Sequence, residues 1–250
     1  MSRQTMIGVY GPWAAGLHLD EPGRLSFRRN EFKSVAGWRR QAKAKAMELI
    51  ASPAEKRNPK PRVKKQYEYD GLHVEELVWQ LPYGPATEAV FIKPAGARGK
   101  LPGILGLHCH GGKKYLGRHK IIQIAAKRHP VVVEHHNHYY GGVGWATELA
   151  KRGYAVLVHD TFTFASRRVR YADVSPALVG DARDRKPDSP EEIAKYNAWA
   201  GGHEHIMAKS LFCAGTTWPG VYLYEDQCAL DVLCTRPDVD AKRVACGGLS

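Results

Sequence analysis

Three apolar runs, each ending in small or polar residues, constrain the fold of this chain more than any other feature. They are LPGILGLHCHGG at residues 101–112, YAVLVHD at 154–160 and RVACGGLS at 243–250. Continuous apolar runs of this length are typical of strands that are buried on both faces, as in a parallel sheet. Because the carboxyl ends of parallel strands lie at the same edge of a sheet, we expect the ends of the three runs to converge there.

The intervening segments predict the rest of an α/β architecture. LHVEELVWQL (72–81) and PYGPATEAVFIKP (82–94) are predicted to form an antiparallel hairpin around a Pro/Gly turn. Helices are predicted over VGWATELAKR (143–152) and over residues 221–239. Residues 161–220 interrupt this alternation with arginines, prolines and a Gly-rich turn, which indicates an insertion with one or two helices over the sheet.

The first 66 residues are interpreted as an N-terminal helical extension. Residues 30–52 place apolar side chains at helical spacing, and the prolines and charges of PAEKRNPKPRVKK end that helix. The predicted domains are therefore the extension, residues 1–66, and a partial α/β domain, residues 67–250, that contains the insertion or cap at 161–220.

Composition argues against several classes of protein. The formal net charge is +12, but the basic residues are scattered and form no aromatic-interleaved recognition motif, so we expect no specific nucleic-acid partner. No apolar run approaches the roughly 20 residues of a membrane span, and the first residues lack the layout of a signal peptide. Five cysteines without a CxxC pair favour buried, reduced thiols. These features predict a cytoplasmic protein without a membrane partner.

Two motifs follow two of the buried runs and point to nucleophilic catalysis. HGG occupies residues 110–112, and Gly248-Leu249-Ser250 ends the third run. A lone G-x-S is expected by chance in a chain of this length, but its position after a buried strand, with HGG after another, is not. A serine hydroxyl is a weak nucleophile that needs a base for its proton and donors for the oxyanion.

These segments resemble the first five strands of the α/β-hydrolase fold, and GLS resembles the start of its nucleophile elbow, G-x-S-x-G. Residues 67–250 are most similar to the dienelactone-hydrolase-like and acetyl-xylan-esterase-like branch. The resemblance implies Ser250 as the nucleophile and Gly248 as the elbow glycine. It also implies the backbone N–H of Gly112 as an oxyanion donor, Gly111 as the residue that lets the backbone approach, and His110 as part of the pocket wall.

The same resemblance implies a three-layer sheet whose later strands, with the acid and the histidine of the triad, follow Ser250. We therefore expect the N-terminal part of a longer, serine-dependent carboxylic ester hydrolase that forms an acyl-enzyme on Ser250, with acetylated carbohydrates among its candidate substrates. No cofactor is expected, and the partner is a small-molecule ester. The alternatives are a non-catalytic binding protein of this fold, or a peptidase or lactone hydrolase.

Other polar residues have structural interpretations beside functional ones. His108 and His110 fit no closed metal-ligand pattern, and the four histidines and the glutamate within 129–142 are interpreted as a polar loop facing the active site, so no metal site is predicted. Asp160 either lies near the pocket or hydrogen-bonds the backbone of the loop that follows it.

Two groups of charged residues are interpreted as solvated surface. These are Lys113, Lys114 and Arg118 after HGG, and His203, Glu204 and His205 in the insertion.

Overall fold

One mixed sheet of six strands organises the computed structural model, which describes residues 4–18, 21–183 and 189–250. The strands are β1 (Arg62–Tyr69), β2 (Leu72–Trp79), β3 (Thr87–Pro94), β4 (Leu101–Leu107), β5 (Ala155–His159) and β6 (Val239–Gly248). Their spatial order is β1-β2-β3-β5-β4-β6. Pairing is antiparallel from β1 through β2 and β3 to β5, and parallel on both sides of β4.

The α-helices of the described residues lie between and before these strands. They are α1 (Gly11–Gly16), α2 (Val35–Ile50), α3 (Pro130–Tyr140), α4 (Trp145–Lys151), α5 (Pro176–Val179), α6 (Pro190–Cys213) and α7 (Trp218–Cys234). Side-chain caps begin the longest of them: Ser189 accepts a hydrogen bond from the Glu192 N–H at the start of α6, and Thr217 accepts one from the Gly220 N–H at the start of α7.

The sheet separates two hydrophobic cores, one on each face, and strand β5 contributes side chains to both. All five of its residues are buried. Leu157 belongs to the core that α7 covers, whereas Val156 and Val158 belong to the core that contains residues of α4. Because side chains alternate along a strand, this pattern gives helices on both faces of the sheet and confirms the predicted α/β architecture.

The sequence analysis predicts five strands, and β1 is a sixth strand that it does not predict. The predicted domain boundary at residue 66 falls inside β1, and the chain instead divides into two compact units, Met1–Ala51 and Ser52–Ser250. The charged sequence RVKKQYEY lacks strand-like apolar alternation, and most of β1 is exposed. It joins the sheet through backbone pairing with β2, which the side-chain pattern does not reveal. Helix α2, in the smaller unit, confirms the helix predicted within 30–52.

Residues 129–142 are mostly helical, although the sequence interpretation made them a polar loop. Pro130 occupies the first turn of α3, where its missing N–H costs nothing, and the ring of His129 accepts a hydrogen bond from the Val131 N–H. Gly141 ends the helix with φ +61°, a left-handed conformation that glycine adopts readily. The start and stop signals of a helix were therefore present in this histidine-rich segment.

The last strand is less buried than predicted. Val239 is buried, but most of β6 is exposed, because it pairs with β4 alone among the described strands. Of the cysteines, all free, Cys109 and Cys228 are buried while Cys213 and Cys246 are exposed. Residues 184–188 of the predicted insertion lie outside the described residues. No helix of the described ranges has the length and apolar character needed to cross a bilayer.

Replacing Leu157 with alanine tests the packing of β5 in the core that α7 covers. Leu157 is 0% exposed, so Leu157→Ala should lower the free energy of unfolding by about 2–5 kcal/mol through lost burial and a residual cavity. Urea denaturation measures this change. Leu178→Ala, at a position that is 47% exposed, is the matched control and should change stability by less than about 1 kcal/mol. Equal losses for the two variants would contradict the packing described.

Candidate active site

Ser250 lies two residues after the end of β6 and has an unusual backbone conformation. Its φ is +66°, in the left-handed region that residues other than glycine rarely occupy. Gly248, two residues earlier, packs closely on β4: a Cβ at this position would lie 2.7 Å from the carbonyl oxygen of Leu107. The strand end before Ser250 is therefore closely packed against β4, and Ser250 itself has a positive φ.

Ser250 lines a cavity of about 200 Å³ at the carboxyl ends of the parallel strands. The other lining residues are Leu107, His108, His110, His159, Thr161, Phe164, Tyr222 and Asp226. They come from the ends of β4 and β5, the loops that follow these strands, and α7. The predicted convergence of the three strand ends is thereby confirmed, and His110 is part of the cavity wall.

The HGG loop lies beside this cavity, but its glycines are not among the lining residues. Gly111 has φ +52°, and a Cβ there would lie 2.6 Å from Cε1 of the His135 ring, so only glycine fits. Gly112 has φ +64° and donates its backbone N–H to Nδ1 of His110 at 3.0 Å. The N–H that the resemblance assigned to the oxyanion is therefore engaged within the loop, because the His110 ring folds back over the turn.

Glu204 is the second partner of the His110 ring, and it is not the solvated residue that the sequence suggested. Nε2 of His110 lies 2.5 Å from Oε1 of Glu204, and Nζ of Lys114 lies 2.6 Å from the same oxygen. Burial favours the neutral acid, but the bonds from Lys114 and His110 outweigh it and lower the pKa of Glu204. Helix α6 thus places a carboxylate against the HGG loop.

Two of the basic residues after HGG that were interpreted as solvated are buried. Lys114 is 1% exposed, donates to Oγ1 of Thr163 at 3.1 Å, and lies over the rings of Phe164 and Trp218. Burial lowers its pKa, against the opposing effect of Glu204. Arg118 is also buried. Their acidic partners, Glu204 for Lys114 and Asp160 for Arg118, are far away in the sequence, so no local pattern indicated that these cations are buried.

Lys120 was not identified from the sequence, and it holds the backbone of the HGG loop by hydrogen bonds. Its Nζ donates to the carbonyl oxygens of Cys109 at 2.8 Å and His110 at 2.9 Å, and it lies 4.0 Å from the ring centre of Phe164. The side chain is completely buried. This burial lowers the pKa of Lys120 to about 7.

Asp160 is fully buried and does not line the cavity, so its sequence-based assignment as a pocket residue is not supported. Its carboxylate accepts hydrogen bonds from the backbone N–H and guanidinium of Arg118, and from the N–H and hydroxyl of Ser166. Arg118 also pairs with Glu88 of β3 at 2.7 Å. Burial alone would raise the pKa of Asp160, but Arg118 and the hydrogen bonds lower it. Asp160 therefore joins the loops after β4 and β5.

Of the two other histidines of the cavity, His159 is buried and His108 is partly buried. Burial lowers the pKa of His108 to about 3, so its ring is neutral at pH 7 and accepts the Thr161 N–H at Nε2 over 3.4 Å. Nε2 of His159, at the end of β5, lies 3.1 Å from Oδ1 of Asp226. Across the part of the chain that the structure describes, no cluster of three or more His, Cys, Asp or Glu residues could hold a metal ion.

Comparison with known proteins identifies the fold of this chain. No protein-family profile matches the chain. The chain is 25% identical over 177 residues, 71% of its length, to a protein of Bacillus subtilis named "Putative hydrolase YtaP". It superposes with a TM-score of 0.65 and 20% identity on the crystal structure of a putative acetyl xylan esterase from Bacteroides fragilis, over 100% of its length. The chain has the α/β-hydrolase fold.

The chain spans about half the length of these relatives, 44% of the hydrolase and 56% of the esterase. A dienelactone hydrolase-like promiscuous phosphotriesterase, P91 from metagenomic libraries, is more distant. It has 16% identity and a TM-score of 0.37, with 72% of this chain and 49% of that chain covered.

Removing the carboxylate of Asp160 tests its role in joining the two loops. Asp160→Asn leaves Arg118 buried with one acidic partner fewer, so we expect a loss of about 3–5 kcal/mol in the free energy of unfolding at pH 7. Because the folded pKa is lowered, this contribution exists above the unfolded pKa of about 3.9 and is lost as the pH falls through the folded value. The difference in the free energy of unfolding between wild type and Asp160→Asn, measured by urea denaturation, should therefore be smaller near pH 3 than at pH 7.

Asp173→Asn, at an exposed aspartate, is the control for that measurement and should behave as wild type at both pH values. A constant difference between wild type and Asp160→Asn across the acid range would show that the charge of Asp160 does not supply the stability.

The buried amine of Lys120 predicts a second pH dependence of the free energy of unfolding. It comes from the burial of a cation, not from the pairing of a carboxylate. The folded pKa of Lys120, about 7, lies below the value of about 10.4 for unfolded lysine, so between these values the unfolded chain binds more protons. Wild type should gain up to about 1.4 kcal/mol of stability per pH unit in this range relative to Lys120→Met. Urea denaturation between pH 7 and about 9 measures the difference. Lys209→Met, at an exposed lysine, should give a curve parallel to wild type; a parallel curve for Lys120→Met would refute the assignment.

Proposed function

We propose that the chain is the N-terminal part of a serine hydrolase that cleaves carboxylic esters through an acyl-enzyme on Ser250. The observation that carries the proposal is Ser250, with φ +66°, two residues after the Gly248 contact with β4 and in the wall of the strand-end cavity. Residues with strained backbone persist where function requires them, and this position is the one that exposes a nucleophile in the fold. The hydrolase and esterase names of the relatives agree with this reaction class.

The reaction proceeds in two steps that the cavity can accommodate. Oγ of Ser250 forms a bond to the ester carbonyl carbon while its proton passes to a base and then to the leaving alkoxide, which departs as an alcohol. Water then attacks the acyl-enzyme, and the carboxylic acid leaves with the serine restored. The acid and the histidine of the triad would come from residues after Ser250, as in the chain order Ser, Asp or Glu, His.

The HGG loop is the proposed source of one oxyanion donor. The Gly112 N–H, which donates to Nδ1 of His110, would keep this acceptor and share its hydrogen with the developing negative charge on the substrate carbonyl oxygen as a second acceptor. Hydrogen bonds of catalytic groups commonly reach their final geometry only when substrate is bound. Gly111, with φ +52° and no room for a Cβ beside His135, lets the backbone of the loop approach the substrate closely.

The size of the cavity favours small esters over long aliphatic ones. Its volume of about 200 Å³ is below the roughly 300–1,000 Å³ that is usual for pockets of larger ligands, so a long acyl chain would not fit. Acetyl esters of carbohydrates meet this limit on size. The main alternative is a non-catalytic protein of the same fold that binds a small molecule in this cavity. A peptidase or lactone hydrolase would use the same serine.

Replacing Ser250 tests the proposal in the complete product of the gene. Ser250→Ala should lower kcat for acetate esters by at least about a thousandfold with little change in KM, because only the nucleophile is lost. An organophosphorus serine probe should add its mass to wild type and not to the variant. Ser210→Ala, on the exposed part of α6, is the control and should keep wild-type kinetics. Undiminished turnover by Ser250→Ala would refute the mechanism, and ligand binding without turnover in wild type would favour the alternative.

A further inference from the structure

We infer that Glu204 is a positioning residue for the oxyanion loop: from helix α6 it fixes the ring of His110, which in turn holds the backbone N–H of Gly112. This inference rests on the proposed function. It assigns to the insertion a part in the geometry of catalysis that neither the motifs nor the known fold supplies. The path runs from Oε1 of Glu204 through Nε2 and Nδ1 of His110 to the backbone nitrogen of Gly112, and none of these groups forms a covalent bond in the reaction.

The hydrogen bonds define one tautomer of His110. A backbone N–H can only donate, so the Gly112 N–H, 3.0 Å from Nδ1, requires an unprotonated Nδ1. Nε2 then carries the proton and donates it to Oε1 of Glu204 at 2.5 Å. A ring held at both nitrogens cannot rotate without breaking one of these bonds. Glu204 therefore sets both the orientation of the ring and the nitrogen that faces the Gly112 N–H.

Lys114 keeps Glu204 in place and charged. Its Nζ lies 2.6 Å from the same Oε1 and is held by Thr163 and by the faces of Phe164 and Trp218. The ammonium group is almost completely buried, so its position is fixed by packing. An ordered, desolvated cation gives the carboxylate a single favourable position, whereas an exposed lysine would follow the motion of its partner.

His110 connects this pair to the cavity of Ser250. His110 and Glu204 both line a cleft of about 580 Å³, and His110 also lines the cavity that contains Ser250. The groups near the His110 ring are Glu204, Lys114 through that carboxylate, and the ring of Phe164, 5.6 Å away between ring centres. The ring that Glu204 orients is therefore itself part of the wall around Ser250.

The test separates the hydrogen bond to His110 from the ion pair with Lys114. Removing Glu204 alone leaves a buried ammonium without its carboxylate, so each variant also carries Lys114→Met. In Glu204→Leu/Lys114→Met, the leucine double variant, the His110 ring loses its acceptor, and kcat for acetate esters should fall about 10- to 100-fold with KM nearly constant. Glu204→Gln/Lys114→Met, the glutamine double variant, keeps an acceptor oxygen and should recover most of the lost activity.

A spectroscopic measurement makes the inference independent of turnover. Nitrogen-15 NMR of the imidazole of His110, assigned with His110→Gln, should show the Nε2–H tautomer in wild type and in the glutamine double variant, and mixed tautomers in the leucine double variant. Glu191→Leu, at an exposed site on the same helix, should change neither kcat nor the His110 signals.

Three outcomes would overturn the inference. Unchanged kcat and tautomer in the leucine double variant would show that Glu204 does not orient the ring. A mixed tautomer with unchanged kcat would show that the orientation does not matter for catalysis. A loss above about ten-thousandfold with a changed acid limb of the pH profile would make His110 and Glu204 catalytic groups. If instead Ser250→Ala retains activity, the proposed function fails, while the NMR result still decides whether Glu204 fixes the ring.

Discussion

The parallel pairing of β4 with β5 on one side and β6 on the other is the constraint on which the candidate site depends. These three strands run in the same direction, so His110, Thr161 and Ser250 leave the sheet at one edge although they are far apart in the chain. Leu107 pairs with Gly248 in this register, and a side chain at Gly248 would push against the Leu107 carbonyl. The position of Ser250 therefore depends on the pairing of β6 with β4 in this register.

Buried cations give the loop after β4 its shape. Within seven residues the chain buries Lys114, Arg118 and Lys120, although ions are expensive to desolvate unless they are paired and hydrogen-bonded. Each one has a different kind of partner: a carboxylate of α6, the buried Asp160, and two backbone carbonyl oxygens. Because the partners belong to separate elements, the loop is fixed from several directions at once, as a precisely placed donor requires.

The sequence predicted the parts of this structure that local patterns encode. The three strands, the hairpin and the position of Ser250 after a strand follow from apolar periodicity and from a motif, and the structure agrees with them except that most of β6 is exposed. Strand β1 could not be predicted because its residues are charged and it pairs through its backbone alone. The burial of Lys114 and the bond between His110 and Glu204 could not be predicted either, since these last two residues are 94 positions apart and no local pattern connects them.

Two carboxylates hold the same loop in different ways, and their burial separates their roles. Asp160 is completely buried and tied to Arg118 and Ser166, so it fixes where the loop lies relative to the sheet. The side chain of Glu204 is 33% exposed and faces the cleft, so it acts where a ligand can reach it. Loss of the first should lower stability. Loss of the second should lower stability through the unpaired ammonium of Lys114, and with Lys114→Met in place it should change only the direction of a single N–H. The pair of Glu204 with Lys114 therefore concerns the stability of the fold, whereas its contact with the His110 ring concerns the geometry of the site.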